Sequence, residues 1–324
     1  MSLSFPSRHA VARLVAAVAI VSITQFGART QSVLSTSAAD INTTGYEDSP
    51  FLSADGQSFY FMYTPWTIWP VFFGRPPYVL GPERAGHRIN PDRNPWEDSD
   101  IYVSRRQPDG SWSAPQDLGF NDNQADCCAM TWNGTLFAYQ RTQRPSSALT
   151  DIYFVQLVDG TWVRTSAGAN VNDPTSSESN PHLSADGTTL YFTSNRAGGF
   201  GGHDLWQSSR QADGGWAPPV NLGSTFNTTA NEDQIWVSRD GRTAYFNREP
   251  GPTIMVSTRQ GNRWSRPAVV KFGSAVPPAA EVSVTDDGQL MVFAEVHPEV
   301  EDIVFVKSRR VGTAWSATTP FSAP

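Results

Sequence analysis

The sequence predicts an all-β fold: a five-bladed β-propeller of four-stranded antiparallel blades, preceded by an N-terminal export signal. Three observations predict it. A turn dipeptide recurs five times, as Asp55-Gly56, Asn133-Gly134, Asp186-Gly187, Asp240-Gly241 and Asp287-Gly288. A tryptophan follows each turn, at Trp112, Trp162, Trp216, Trp264 and Trp315, with spacings of 50, 54, 48 and 51 residues. No stretch sustains the apolar period of an amphipathic helix. Asp-Gly or Asn-Gly between alternating runs signals a tight hairpin, and self-similarity at a fixed period marks stacked or radially packed units.

Taken in chain order, the first element is the export signal. Arg8, His9 and Arg13 precede a mostly apolar run over residues 14–23. Ten residues are too few to span a bilayer, which needs roughly 20, but they suit the core of a secretory signal. Ser37 and Ala39 fit the small-residue rule for cleavage after Ala39. The expected division is therefore residues 1–39 as signal and flexible segment, and 40–324 as propeller. The blades fall at about 45–119, 120–170, 171–223, 224–273 and 274–324. Within each, an alternating run follows the Gly turn (59–63, 136–139, 190–193, 244–246, 290–293). A second run opens at Asp100, Asp151, Asp204, Thr253 and Asp302, where the aspartates are expected to cap the preceding turn. The tryptophan then opens the last strand. Four short strands every 50 residues or so make one propeller blade, and the tryptophans supply packing area between blades.

The segment Asn180-Pro181-His182-Leu183-Ser184-Ala185-Asp186-Gly187, running on through Asn195-Arg196 to His203-Asp204-Leu205-Trp206, resembles the TolB-type, WD40-like propeller repeat of bacterial envelope proteins. Ser49-Pro50-Phe51-Leu52-Ser53-Ala54-Asp55-Gly56 resembles it too. The other three copies are looser, with Cys127-Cys128 and Gln234-Ile235 standing where Asn180-Pro181 stands. The resemblance covers residue 45 to the C-terminus. It implies a periplasmic or secreted protein that binds an envelope protein or a glycan. TolB itself has six blades and an extra α/β domain, so its particular partners do not carry over.

The formal net charge is −7, and removing residues 1–31, which hold three arginines and no acid, lowers it to about −10. Such a balance excludes a phosphate-seeking nucleic-acid surface and charge-driven binding to anionic lipid. A monomer with no transmembrane span in the mature chain is expected.

Chain direction places the entrances to strand one and the loops between strands two and three on one face, here called the top. Acids recur at those entrances: Glu47, Glu178 and Glu232 lie nine residues before the turn glycine, with Asp48, Asp126 and Asp233 beside that position and Glu281 replacing them in blade five. Converging carboxylates raise one another's pKa, as general acids require. They can equally hold Ca²⁺, which takes six to eight oxygens, or simply bond to neighbouring turns. Blade one carries a long insertion, residues 64–99, rich in aromatics (Trp66, Trp69, Phe72, Phe73, Tyr78, Trp96) and carrying Arg75, Arg84, His87 and Arg88. It reads as a lid or ligand platform, or as a loop packed on its neighbour. The matching loop of blade three, from Arg196 to His203, is glycine-rich, without dinucleotide-fingerprint spacing. Cys127 and Cys128 are the only cysteines, adjacent and near the channel mouth; they form either a vicinal disulfide or a buried thiol pair. His87, His182, His203 and His297 are too scattered for a metal cluster. There is no Gly-x-Ser-x-Gly elbow. Glycosylation sequons stand at Asn42, Asn133 and Asn227.

Two functions follow. The first is a ligand-binding or assembly module with Asp48, Glu232, Trp66, Trp69, Trp96, Arg196 and His203 around the ligand. The second is a carbohydrate-active enzyme, a glycoside hydrolase or polysaccharide lyase, with Glu47, Asp126 and Glu178 as its carboxylates.

Overall fold

The computed structural model describes residues 34–297 and 302–321, apart from 38, 68, 73, 85–98, 123 and 144–148. The export-signal reading and Phe73, His87, Arg88 and Trp96 therefore lie outside the described residues. Five antiparallel sheets are present. Blade one holds β1 (Tyr46–Leu52), β2 (Ser58–Thr64), β3 (Asp100–Arg105) and β4 (Gln116–Asp117). Blade two holds β5 (Asp126–Met130), β6 (Leu136–Thr142), β7 (Thr150–Val158) and β8 (Thr161–Ser166). Blade three holds β9 (Glu178–Leu183), β10 (Thr189–Ser194), β11 (Asp204–Ser209) and β12 (Val220–Asn221). Blade four runs from β13 (Glu232–Val237) through β14 (Thr243–Arg248), β15 (Thr253–Gln260) and β16 (Arg263–Trp264) to β17 (Ala268–Val269). Blade five runs from β18 (Ala279–Val284) through β19 (Leu290–His297), β20 (Asp302–Val311) and β21 (Ala314–Trp315) to β22 (Thr319–Pro320). The predicted propeller is the observed fold. The first strands β1, β5, β9, β13 and β18 adjoin in a ring that closes from β18 back to β1.

Each Gly of the five turn dipeptides has φ between +65° and +71°, a conformation glycine adopts without steric cost. The tryptophans do not all open the fourth strand. In blades one and three Trp112 and Trp216 sit in isolated bridges, and the fourth strand starts four residues later. In blade four Trp264 lies in β16, and β17 pairs separately on β15. Pro115, Pro218-Pro219 and Pro267 lie in the break of blades one, three and four, where proline offers no amide to the ladder; blade five breaks in the same way between Trp315 and β22 with no proline between them. Blade two has no such proline, and there Trp162 lies within the continuous β8. Trp216 is buried and stacks on Phe154 of blade two at 5.7 Å.

The blades are joined by a repeated side-chain device. Asn121 bridges both the amide and the carbonyl of Ile101, Asn172 those of Ile152, and Asn227 those of Leu205. Each asparagine thus ties the connector ahead of its own blade to strand three of the preceding blade. Asn42 does the same to Phe305 of blade five, at 2.9 and 3.1 Å. The N-terminal segment therefore supplies the connector that closes the ring. Asn42 and Asn227 are 2 % and 1 % exposed, so two of the three sequons are structural and closed to a glycosyltransferase in the folded protein.

Asn42→Ala strands the amide and carbonyl of Phe305 in a buried seam. It is expected to destabilise the protein by roughly 2–4 kcal/mol in urea unfolding. A loss below about 1 kcal/mol would show that the ring is closed by other contacts.

Candidate functional site

The acids at the strand-one entrances form one register row. Glu47 lies opposite Tyr63, Asp126 opposite Arg141, Glu178 opposite Ser194 and Glu232 opposite Arg248. Ala279 holds that register in blade five, opposite Glu295. Glu281 therefore does not replace the acids there; it lies two residues further in. Asp126, counted one position off, belongs to the row, because the first strand of blade two is one residue shorter before its turn.

All four row acids are buried, and each is paired with an arginine. Arg84 reaches Glu47 at 2.9 Å, Arg141 reaches Asp126 at 3.2 Å, Arg196 reaches Glu178 at 2.9 Å and Arg248 reaches Glu232 at 2.7 Å. The arriving connector donates as well. Thr43 gives its amide and hydroxyl to Glu47, and Thr228 gives the same pair to Glu232. Asp173 N–H and Ser176 Oγ–H go to Glu178. Guanidinium groups also clasp the connector carbonyls just before each bridging asparagine: Arg84 on Ile41, Arg164 on Phe120, Arg196 on Val171 and Arg248 on Phe226. Burial pushes the Glu47 and Asp126 carboxyls upward against the pull of their arginines. Glu47, Asp126, Glu178 and Glu232 consequently serve the blade junctions, and Arg196 serves the junction of blade three.

The insertion does not stand clear of the barrel. Trp66 is 9 % exposed and bridges Val79, so its ring is packing rather than a sugar platform. Arg84 is fully buried and lies 4.1 Å from the Tyr63 ring centroid. Residues Trp69–Phe72 form a single helical turn, in which Trp69 is half-buried. Val71 of that turn packs on Tyr46 and Met62, in one apolar cluster with Cys127 and Ile303. The insertion thereby packs beside residues of blades one, two and five.

Beside it lies a polar cluster. Tyr46 Oη–H donates to Asp48 Oδ2 at 2.6 Å. The Ser49 amide donates to Asp48 Oδ1 at 2.9 Å and also to Glu281. Ser49 Oγ lies 3.2 and 3.0 Å from the sulfurs of Cys127 and Cys128, which are free thiols. Burial and the adjacent Asp48 carboxylate hold the Glu281 carboxyl well above its ordinary range. Across the mouth, Asp233 accepts from Asn180 Nδ2 at 2.6 Å and from the Gln234 amide at 2.9 Å. His203 Nδ1 lies 3.8 Å from Asp233. Burial alone would lower the His203 pKa, but Asp233 and Glu249 outweigh it and raise it. The glycine-rich loop leading to His203 packs too tightly for side chains: a Cβ at Gly201 would collide with the Ala230 carbonyl. Its Asp204 accepts the Gly201 amide at 3.1 Å, the capping role expected of these aspartates.

Sequence reasoning missed His182. It is buried, pinned to the Val237 peptide and flanked by Trp132 and Trp236, and burial lowers its pKa to about 4. Among the described residues no group of three or more His, Cys, Asp or Glu side chains is arranged to hold a metal ion. A wide groove of about 960 Å³ opens at the opposite face between blades four and five, where Arg310 lies over Trp315.

No protein-family profile matches the chain, and no curated protein matches it in sequence. Solved structures similar to it include a thermostable family-43 glycoside hydrolase, 11 % identical over 86 % of this chain and 95 % of that one, with a TM-score of 0.51. TolB from Acinetobacter baumannii is 12 % identical over 83 % of this chain, with a TM-score of 0.47, and the match takes up 52 % of that protein's length. A putative 6-phosphogluconolactonase from Bacteroides uniformis is 13 % identical over 88 % of this chain and 74 % of its own, with a TM-score of 0.43. Such distant likeness defines a propeller, a fold shared by binding proteins and enzymes alike. No helix among the described residues is long and apolar enough to cross a membrane.

The two histidines respond oppositely to pH. His182 stays neutral in the fold while the unfolded chain protonates near pH 6.5, so its contribution favours folding above pH 6.5. That contribution is lost as pH falls towards 4, by about 3 kcal/mol in all. His203 adds stability below pH 6.5 and loses it as pH rises through its higher folded value. Imidazole NMR is expected to show His203 titrating above 6.5, moving downward in Asp233→Asn, and His182 silent down to about pH 4. A His182 that titrates near 6.5 contradicts the burial argument.

Proposed function

We propose that this protein is an exported, monomeric ligand-binding or assembly module of the cell envelope, taking an envelope protein or a glycan at the top-face mouth. One observation carries the reading: Val71 of the insertion packs on Tyr46, whose hydroxyl holds Asp48, so the irregular loop and the polar cluster adjoin. Asp48, Trp69, Asp233 and His203 are the residues left to meet a ligand once the arginine-paired acids are set aside. Concave sites with a few converging polar groups on an apolar wall are the usual ligand pocket. The TolB-type repeat and the signal-like N-terminus support an envelope location.

A carbohydrate-active enzyme is the second reading, and one observation favours it. Asp48 and Glu281 meet on a single amide, and burial and the adjacent Asp48 hold the Glu281 carboxyl well above its ordinary range, the arrangement in which one carboxyl can donate while its neighbour stays ionised. The catalytic pair would then be Asp48 and Glu281, in place of Glu47, Asp126 and Glu178.

A glycan and peptidoglycan binding screen, with reducing-end release measured in parallel, separates the two. Saturable binding without release is expected. Replacing residues 69–77 by a short Gly-Ser link, which spares Arg84, is expected to weaken that binding at least tenfold. Turnover abolished by Glu281→Gln would establish the enzyme reading. Binding lost in Arg310→Ala but not in the loop variant would move the site to the groove between blades four and five.

A further inference from the structure

Below the mouth, each first strand breaks its ladder at an equivalent residue. Ser49, Cys128, Asn180, Gln234 and Glu281 all have left-handed backbone, with φ from +40° to +59°. Each lies in a register shift against strand two. Five bulges at one height are a feature of the fold, since non-glycine residues adopt this conformation only where the surroundings impose it. Most of the bulge amides are satisfied by the neighbouring blade: Asn180 N–H by Gln140, Gln234 N–H by Thr193 and Glu281 N–H by Asn247. In blade five the matching strand-two residue is Ala294, which cannot accept, and Glu281 reaches the Ser49 amide instead.

Ser49, Cys128, Asn180 and Gln234 are the polar bulge residues on an axial gap of about 20 Å³, whose wall is otherwise largely apolar, including Phe51, Met130 and Trp236, and also holds the neutral His182. Such a gap admits one species of water size and nothing larger. Among the described residues, the side-chain oxygens of Asn180 and Gln234 are buried without a hydrogen-bond partner. Asn180 is 9 % exposed, and its orientation is set by the 2.6 Å bond from Nδ2 to Asp233. That bond leaves Oδ1 turned away from the carboxylate. The charge one hydrogen bond behind the lining is negative: Asp48 and Glu281 accept from the Ser49 amide, and Asp233 from Asn180 and the Gln234 amide. The arginines of this face, Arg84, Arg141, Arg196 and Arg248, are each engaged by a row acid. The cation within reach of the gap among the described residues is His203, itself beside Asp233.

We propose that the axial gap binds one small hard cation, a metal ion or ammonium, on Asn180 Oδ1 and Gln234 Oε1, with Asp48, Glu281 and Asp233 supplying the charge. Amide and carboxylate oxygens select alkali and alkaline-earth ions over soft metals. Burial pushes the Cys128 thiol upward, which keeps it protonated and out of the ligand set. Tyr46, Asp48, Cys127 and Cys128 face Glu281. The site is independent of whatever larger ligand the mouth accepts.

Calorimetry and thermal unfolding of the purified protein test this, titrating Na⁺, K⁺, NH₄⁺ and Ca²⁺ at an ionic strength held constant with choline chloride, whose cation is too large for the gap. One of the four is expected to bind at a single saturable site and raise Tm. Gln234→Met is expected to weaken it at least tenfold. Crystals grown with Ca²⁺ or Rb⁺ (standing in for K⁺ and NH₄⁺) give a reading that needs no variant. A single anomalous peak in contact with both amide oxygens is the expected result. No ion-specific saturation, together with an ordered water lacking anomalous signal in the gap, overturns the proposal. Because the probes are simple salts, that outcome leaves glycan or protein binding at the mouth untouched.

Discussion

The propeller depends on how its connectors are fastened at both ends. An apolar residue followed by asparagine (Ile41-Asn42, Phe120-Asn121, Val171-Asn172, Phe226-Asn227) precedes four of the five blades. The asparagine bonds to the blade before, and the arginine and acid of the blade after hold the same short stretch. A buried ion pair with its hydrogen bonds complete adds little net stability, but a partner left alone is costly. Such a fastening works mainly as a register device: it rejects arrangements in which a connector meets the wrong strand. The junction between blades four and five is different. Ala279 stands where the acid would be, Phe272 stacks on Phe293 at 4.4 Å, and the wide groove opens at this same junction.

This fastening governs the site. By taking the row acids out of play, it removes the carboxylates that sequence spacing would assign to catalysis. The chemistry left over lies one and two residues further along each first strand, where the blades differ most. There Asp48, Cys127 and Asp233 are followed by the bulge residues. Repetition builds the frame, and departures from repetition build the recess. The insertion does both: Arg84 fastens the ring, while Val71 packs beside the mouth.

Much of the fold was legible because hairpin turns and packing tryptophans act locally and recur at a fixed period. The fourth strands were misplaced because the ladder breaks between Trp and strand, at prolines in blades one, three and four and without one in blade five. The acids themselves were legible, but their partners were not. Arg84 comes from the insertion, Arg141 and Arg248 from strand two, and Arg196 from the loop beyond it, so no common spacing announces the pairing. Counting back from the turn glycine misaligned Asp126, since blade two is one residue shorter before that turn, while in blade five the count lands on Ala279 and the acid two residues on, Glu281, was put in its place. The recurrent apolar-Asn pair was readable, yet Asn42 and Asn227 also satisfy a glycosylation pattern that hides their structural role. His182 gave no signal, because its neutrality comes from rings contributed by two other blades.

If the strand-one acids fasten the blades, Glu178→Gln, which keeps the side chain's shape and leaves Arg196 against a neutral amide, should cost stability and not affinity. Urea unfolding together with ligand titration of the folded variant measures both. A loss of about 3–5 kcal/mol of stability, with affinity per folded molecule unchanged, is the expected result. Full stability with binding or turnover abolished would contradict it.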